Sequence, residues 1–129
     1  MKADSNLSGK ALTVDNAQKL VKQLGTDIEH LNLSRNRLDH EFAIGVLPSS
    51  LVQLDLSFNA LKTCSGLERL TNLQMLDIKY NDLQSLRRIF FCTSLVHLNV
   101  RGNRIDSVEG LERMTKLQTL DIAENLIER

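Results

Sequence analysis

The chain has 129 residues, enough for one domain with a sizeable core. Its 16 basic and 16 acidic side chains cancel, which argues against a surface built around one sign of charge for nucleic acid or an anionic membrane. Leucine supplies 24 positions, tryptophan is absent and Pro48 is the single proline, so one aliphatic shape is reused many times and internal repetition is the first thing to seek.

The N-terminus, Met1-Lys2-Ala3-Asp4-Ser5, is polar and has no apolar stretch of the secretory kind. No apolar run approaches the roughly 20 residues of a membrane-spanning helix, so a soluble, cytoplasmic chain is expected. Leu7-Ser-Gly-Lys-Ala-Leu12 matches Leu33-Ser-Arg-Asn-Arg-Leu38 at an offset of 26, with Lys10 in place of Asn36 and Ser5 in place of Leu31. This reads as a degenerate half-repeat. A helix is predicted over residues 15–24: Asp15-Asn-Ala-Gln18 has capping-box spacing, Ala17, Leu20, Val21 and Leu24 recur at helical intervals, and Gly25 stands at the stop. Residues 1–27 are therefore expected to cap one end of the core, as stacked-repeat proteins require for solubility.

From residue 28 onward one pattern recurs five times. Ile28, Leu31, Leu33, Asn36 and Leu38 set it; Leu51, Leu54, Leu56, Asn59 and Leu61 repeat it. The segments Leu73 to Leu83, Leu95 to Ile105 and Leu117 to Ile127 carry apolar residues at the same offsets. The asparagines at 36, 59, 81, 103 and 125 are separated by 23, 22, 22 and 22 residues. Around Leu31 and Leu33 the apolar alternation has period two, which predicts a short strand. One repeat cannot bury its own leucines, so each coil must stack on the next. The asparagine stands where the chain leaves the strand, and its amide can satisfy backbone groups the turn leaves unpaired. Between strands, Leu61, Cys64, Leu67 and Leu70, or Ile105, Val108, Leu111 and Met114, fall every third residue, which suits short 3₁₀ turns better than α-helices.

On these residues, the L-x-x-L-x-L-x-x-N-x-L pattern over 28–127, the chain resembles the leucine-rich-repeat family. The resemblance implies an α/β fold: a right-handed solenoid of about five repeats with a parallel concave sheet. Its short repeat is similar to the 22-residue class typified by the regulatory subunit of type-1 protein phosphatase and by axonemal dynein light chains. That class implies an adaptor role, with a cytoskeletal or ciliary setting among the expectations. Residues 28–129 then hold five repeats without the family's C-terminal cap, whose proline and downstream tyrosine are missing. Two readings stay open: a piece of a longer protein, or self-association over the edge formed by Leu117, Leu120 and Ile122.

In a solenoid the outward strand residues line up as columns, with neighbours about 5 Å apart. The first is His30, Gln53, Met75, His97 and Thr119; the second is Asn32, Asp55, Asp77, Asn99 and Asp121. The third is Ser34, Ser57, Lys79, Arg101 and Ala123; the fourth is Arg35, Phe58, Tyr80, Gly102 and Glu124. Phe58 and Tyr80 become neighbours on a face expected to be wet, with Met75 nearby, which are the makings of a protein-binding hot spot. Lys79 and Arg101 lie beside Asp55 and Asp77. The predicted partner-binding set is Arg35, Asp55, Phe58, Met75, Asp77, Lys79, Tyr80, His97, Asn99 and Arg101. A packed aromatic rim and a solvated lattice of ion pairs are the structural alternatives.

Chemistry finds little support. His30 and His97 are three strands apart, about 15 Å, too far to share a metal. His30, Asp55 and Ser57 have the residue types of a triad but no oxyanion pocket on a flat sheet. Cys64 and Cys92, 28 residues apart, follow no metal-ligand spacing and read as reduced thiols. Neither a catalytic nor a cofactor-binding residue is expected. Phosphate binding through Arg35, Lys79 and Arg101 would bring the phosphates against Asp55 and Asp77, so no nucleic-acid partner is expected. The remaining alternative is a module that targets or spaces a kinase, phosphatase or coiled coil.

Overall fold

In the computed structural model, which describes residues 4–40 and 42–128, each period-two segment is a three-residue strand. Met1–Ala3 of the expected polar N-terminus and Arg129 lie outside the described residues. The strands are β1 (Asp4–Asn6), β2 (His30–Asn32), β3 (Gln53–Asp55), β4 (Met75–Asp77), β5 (His97–Asn99) and β6 (Thr119–Asp121). They pair in parallel and in chain order to form one sheet of six strands. Register follows the repeat, with Leu31, Leu54, Leu76, Leu98 and Leu120 opposite one another in turn. The half-repeat supplies β1, and Ser5 stands opposite Leu31 as the offset between the two segments requires.

Parallel neighbours need a crossover, and here each crossover is one coil of the solenoid. The inward positions Leu54, Leu56, Leu61, Leu76, Ile78 and Leu83 are at most 1% exposed. Burial contributes roughly 1.5–3 kcal/mol for each such side chain, and it is available only because coils on both sides cover it. In the last coil Leu117, Leu120, Ile122 and Ile127 are half-buried and Leu126 is 58% exposed.

The return segments contain 3₁₀ turns at Ile44–Val46, Leu67–Arg69, Ile89–Phe91 and Leu111–Arg113, as the three-residue apolar spacing predicts. Two of them approach closely at Gly66, whose φ is +96° and where an added Cβ would lie 2.5 Å from the Gly45 nitrogen. A side chain there would push adjacent coils apart.

Helix α1 spans Val14–Gln23, one residue ahead of the predicted span at each end. It buries Ala17 and Val21, with Leu20 and Leu24 partly buried against the same core. Its cap differs from the expectation. Thr13 is the last residue with extended backbone, so the Asn16 N–H donates to Thr13 Oγ1, at 3.4 Å. Asp15 already lies inside the first turn, where its charge favours the positive end of the helix dipole but cannot form a capping box with Gln18. Gly25 takes φ +85° just beyond the helix, the left-handed conformation that ends it.

Candidate partner-binding face

The outward residues are held in place by the backbone beneath them. Asn59 donates from Nδ2 to the carbonyls of Leu33 and Leu56, 3.0 Å each, while its Oδ1 accepts from the Leu38 N–H. Asn81 and Asn103 repeat the arrangement with their own coils, and both are buried. Each asparagine therefore ties its coil to the preceding one. Asn36 does the same for the half-repeat, reaching the Leu7 carbonyl and the Leu12 N–H.

The second column also serves the backbone, a role the sequence reading missed. Asn32, Asp55, Asp77, Asn99 and Asp121 each accept, on Oδ1, the N–H of the residue two positions later. The available signal was the free exchange of Asn and Asp in that column, since both carry the single acceptor such a turn needs. The chain then passes through left-handed backbone at Arg35, Phe58, Tyr80 and Glu124, with φ of 56°, 57°, 55° and 56°, and at Gly102 with φ of 69°. Glycine adopts this conformation freely, whereas an L side chain costs on the order of 1–2 kcal/mol. The fourth column is thereby aligned along the rim of the sheet.

That alignment produces a ladder. The Arg35 guanidinium carbon lies 4.2 Å from the centroid of the Phe58 ring. Phe58 and Tyr80 stack with centroids 4.9 Å apart and planes 21° apart, a separation at which an aromatic pair is favourable. Tyr80 then leans over Gly102, where an added Cβ would fall 2.3 Å from its Cδ1. Its hydroxyl donates to Glu124 Oε2 at 2.6 Å. Arg101 Nε donates to the same oxygen at 2.7 Å, and Arg101 NH1 lies 3.4 Å from Asp121 Oδ2. The Tyr80 hydroxyl, with Arg101, holds the Glu124 carboxyl below its ordinary range; Glu124 and Tyr80 in turn push the Arg101 guanidinium further up.

Three expectations need correction. Phe58 is only half-exposed, because Arg35 and Tyr80 cover its two faces; Tyr80 is 37% and Met75 39% exposed. Ser34 and Ser57 do not line the wet face but are buried, Ser34 against the Ser8 hydroxyl at 2.8 Å and Ser57 donating to Asp55 Oδ1 at 2.6 Å. Lys79 pairs with Asp77 of its own segment at 2.9 Å, and Arg101 reaches forward to the last coil, so neither engages Asp55.

Two shallow grooves cross the sheet. One of about 400 Å³ is lined by His30, Gln53, Asp55, Met75 and Asp77; the other, about 360 Å³, includes His97 and Asn99 and shares Met75 and Asp77 with the first. His97 Nδ1 is 2.7 Å from the Thr119 hydroxyl oxygen, whereas His30 sits three strands away on β2. The buried Ser57 hydroxyl, already given to Asp55, offers no nucleophile to the groove. Cys64 and Cys92 are free and buried, and loss of hydration pushes both thiols up to about 12. Among the described residues no His, Cys, Asp or Glu cluster could hold a metal ion, and no helix is long and apolar enough to cross a membrane.

Comparisons with known proteins agree with this geometry. Two family models, each described as leucine-rich repeat, match residues 27–54 and 71–127. A sequence comparison with curated proteins finds no match. Among solved structures, an internalin (inlF) from Listeria monocytogenes is similar, with a TM-score of 0.77 over 86% of this chain at 23% identity. The match covers 32% of the internalin chain, so this chain spans about a third of that structure's length. At this identity the likeness concerns the fold alone. With the repeat register, the asparagine ties and the family matches in agreement, the chain is a leucine-rich-repeat protein.

Proposed function

We propose that the chain is a protein-interaction module whose concave face grips a protein partner. Leucine-rich-repeat domains generally mediate protein–protein contact, and the observation that carries the reading here is the ordered rim. Phe58 and Tyr80 are held in a stack by Arg35 and Glu124 along the rim of the sheet whose groove carries the exposed Met75. Aromatic groups already locked in one arrangement lose little entropy on binding, which is what an anchor needs. Lys79 and Arg101 are engaged by carboxylates, which favours a protein over a polyanion. The contact set is Arg35, Asp55, Phe58, Met75, Asp77, Lys79, Tyr80, His97, Asn99 and Arg101.

The short repeat supports placement in the adaptor class similar to the type-1 phosphatase regulatory subunit and axonemal dynein light chains. With it goes a cytoplasmic setting, associated with the cytoskeleton or a cilium, and no enzymatic activity. A second reading is a targeting or spacer module for a further domain such as a kinase, phosphatase or coiled coil, a role that a stack of repeats in which each coil holds the next suits.

The test recovers partners from cells with the wild-type chain, a Phe58→Ala/Tyr80→Ala/Arg101→Glu variant and a convex-side Phe91→Ala/Arg113→Glu variant. Concave binding predicts loss of partners with the first variant only, given unchanged circular dichroism. Retention by the concave variant, or loss with the convex one alone, overturns it.

A further inference from the structure

We propose that the partner presents a lysine or arginine side chain to Asp55, on the floor of the groove across β2–β4. This rests on the concave-face reading above and names the chemistry of its occupant. The face is an unpartnered sheet of six strands, about 24 Å across at ordinary strand spacing. Across β2–β6 its first two columns contain no lysine or arginine, but they contain three carboxylates, Asp55, Asp77 and Asp121. Two of these are balanced within the chain: Asp77 by Lys79 and Asp121 by Arg101. Asp55 differs. Its Oδ1 accepts from the Ser57 N–H and hydroxyl, and its Oδ2 has no hydrogen bond or ion pair among the described residues.

Asp55 also stands directly opposite Asp77 in the strand register, and like charges so placed repel. An incoming cation relieves that repulsion. Arg35, the basic group on the neighbouring rim, is committed to the face of Phe58. Met75 lines the same groove and is exposed, offering an adaptable apolar wall to the methylene stem of a lysine or arginine. The companion groove shares Met75 but offers no open carboxylate among the described residues, because Asn99 is neutral, Asp77 meets Lys79 and Asp121 meets Arg101. Charge and shape together therefore select a basic side chain with an apolar neighbour, seated over β3 and β4.

The experiment uses a random peptide library, about 12 residues long so as to span the sheet, displayed against the immobilised full chain. Selected peptides are resynthesised and titrated into wild type and Asp55→Asn. This variant keeps the turn, since Asn32 and Asn99 accept the same backbone N–H in their own coils. The expected result is enrichment of lysine or arginine, shifts of the β2–β4 backbone amide resonances, and a Kd weaker by roughly tenfold or more in Asp55→Asn. Replacing the peptide's basic residue should cost a similar factor in wild type and little in the variant. Neutral or acidic peptides that shift the same resonances, or binding indifferent to Asp55→Asn, overturn this inference and leave the concave-face reading standing. Peptides that shift only convex or edge resonances, or no enrichment at all, overturn both.

Discussion

Gly102 occupies the one fourth-column position where a side chain is sterically forbidden. Its φ of 69° is tolerable for alanine at a cost of about 1–2 kcal/mol, but the added methyl would also collide with the Tyr80 ring. Gly102→Ala should therefore lower stability by roughly 2 kcal/mol or more and alter the tyrosine near-ultraviolet circular dichroism; a change under about 0.5 kcal/mol in urea melts would show that the ring is not seated there. The next residue of the ladder, Glu124, predicts a pH dependence. Its carboxyl is held below the ordinary 4.5 by the Tyr80 hydroxyl and Arg101. A depressed folded-state pKa stabilises the fold above the unfolded value, and that contribution disappears as pH falls through the folded value. The melting temperatures of wild type and Glu124→Gln should thus differ at neutral pH and converge below the ordinary carboxyl range. Equal separation at all pH values contradicts the assignment.

Elements of this chain are too short to stand alone, so their ends and ties decide them. For α1, capping by Thr13 predicts that Thr13→Ala costs about 0.5–1 kcal/mol, at the lower end because the bond is 3.4 Å long. Asp15→Asn should cost only a few tenths from the helix dipole. The reverse order in denaturant melts would restore the capping box at Asp15. Between coils, Asn81→Ala removes the partner of the Leu61 N–H and of the Leu56 and Ile78 carbonyls, all in the interior. A loss of roughly 1–3 kcal/mol is expected, with faster hydrogen exchange concentrated in β3 and β4. Unchanged exchange there would mean that water replaces the amide without cost.

For the molecule as a whole, nearest-neighbour stacking makes equivalent residues unequal. Leu98 and Leu120 hold the same register position on β5 and β6, yet Leu98 is 2% exposed whereas Leu120 is only half-buried. Leu98→Ala should cost about 2–5 kcal/mol, and Leu120→Ala clearly less, because it leaves no closed cavity. Equal losses in chemical denaturation would mean that the last coil is covered in solution. The same one-dimensional logic shapes the outward face: its columns arise from stacking in register, and Phe58, Tyr80 and Met75 are large apolar groups that interrupt them.

Most of this architecture was legible in the amino-acid order. The asparagine spacing, the period-two leucines and the offset of 26 between Leu7 and Leu33 specify strand number, register and the half-repeat, because each inward side chain has one place to go once coils stack. The columns, and with them the adjacency of Phe58 and Tyr80, follow from the same period. Tertiary structure alone decided how the side chains use that adjacency. No periodicity distinguishes a serine facing solvent from Ser57 buried against Asp55, or directs Arg101 forward to Glu124 rather than back to Asp77. Nor does it show Tyr80 resting on Gly102, since that depends on left-handed backbone at two successive rim positions. Pairing of charges is a matter of a few ångströms and a rotamer, set by neighbouring coils. Backbone repetition puts the carboxylates in one column; the side chains around them determine that, among the described residues, Lys79 meets Asp77 and Arg101 meets Asp121 while Asp55 turns to Ser57.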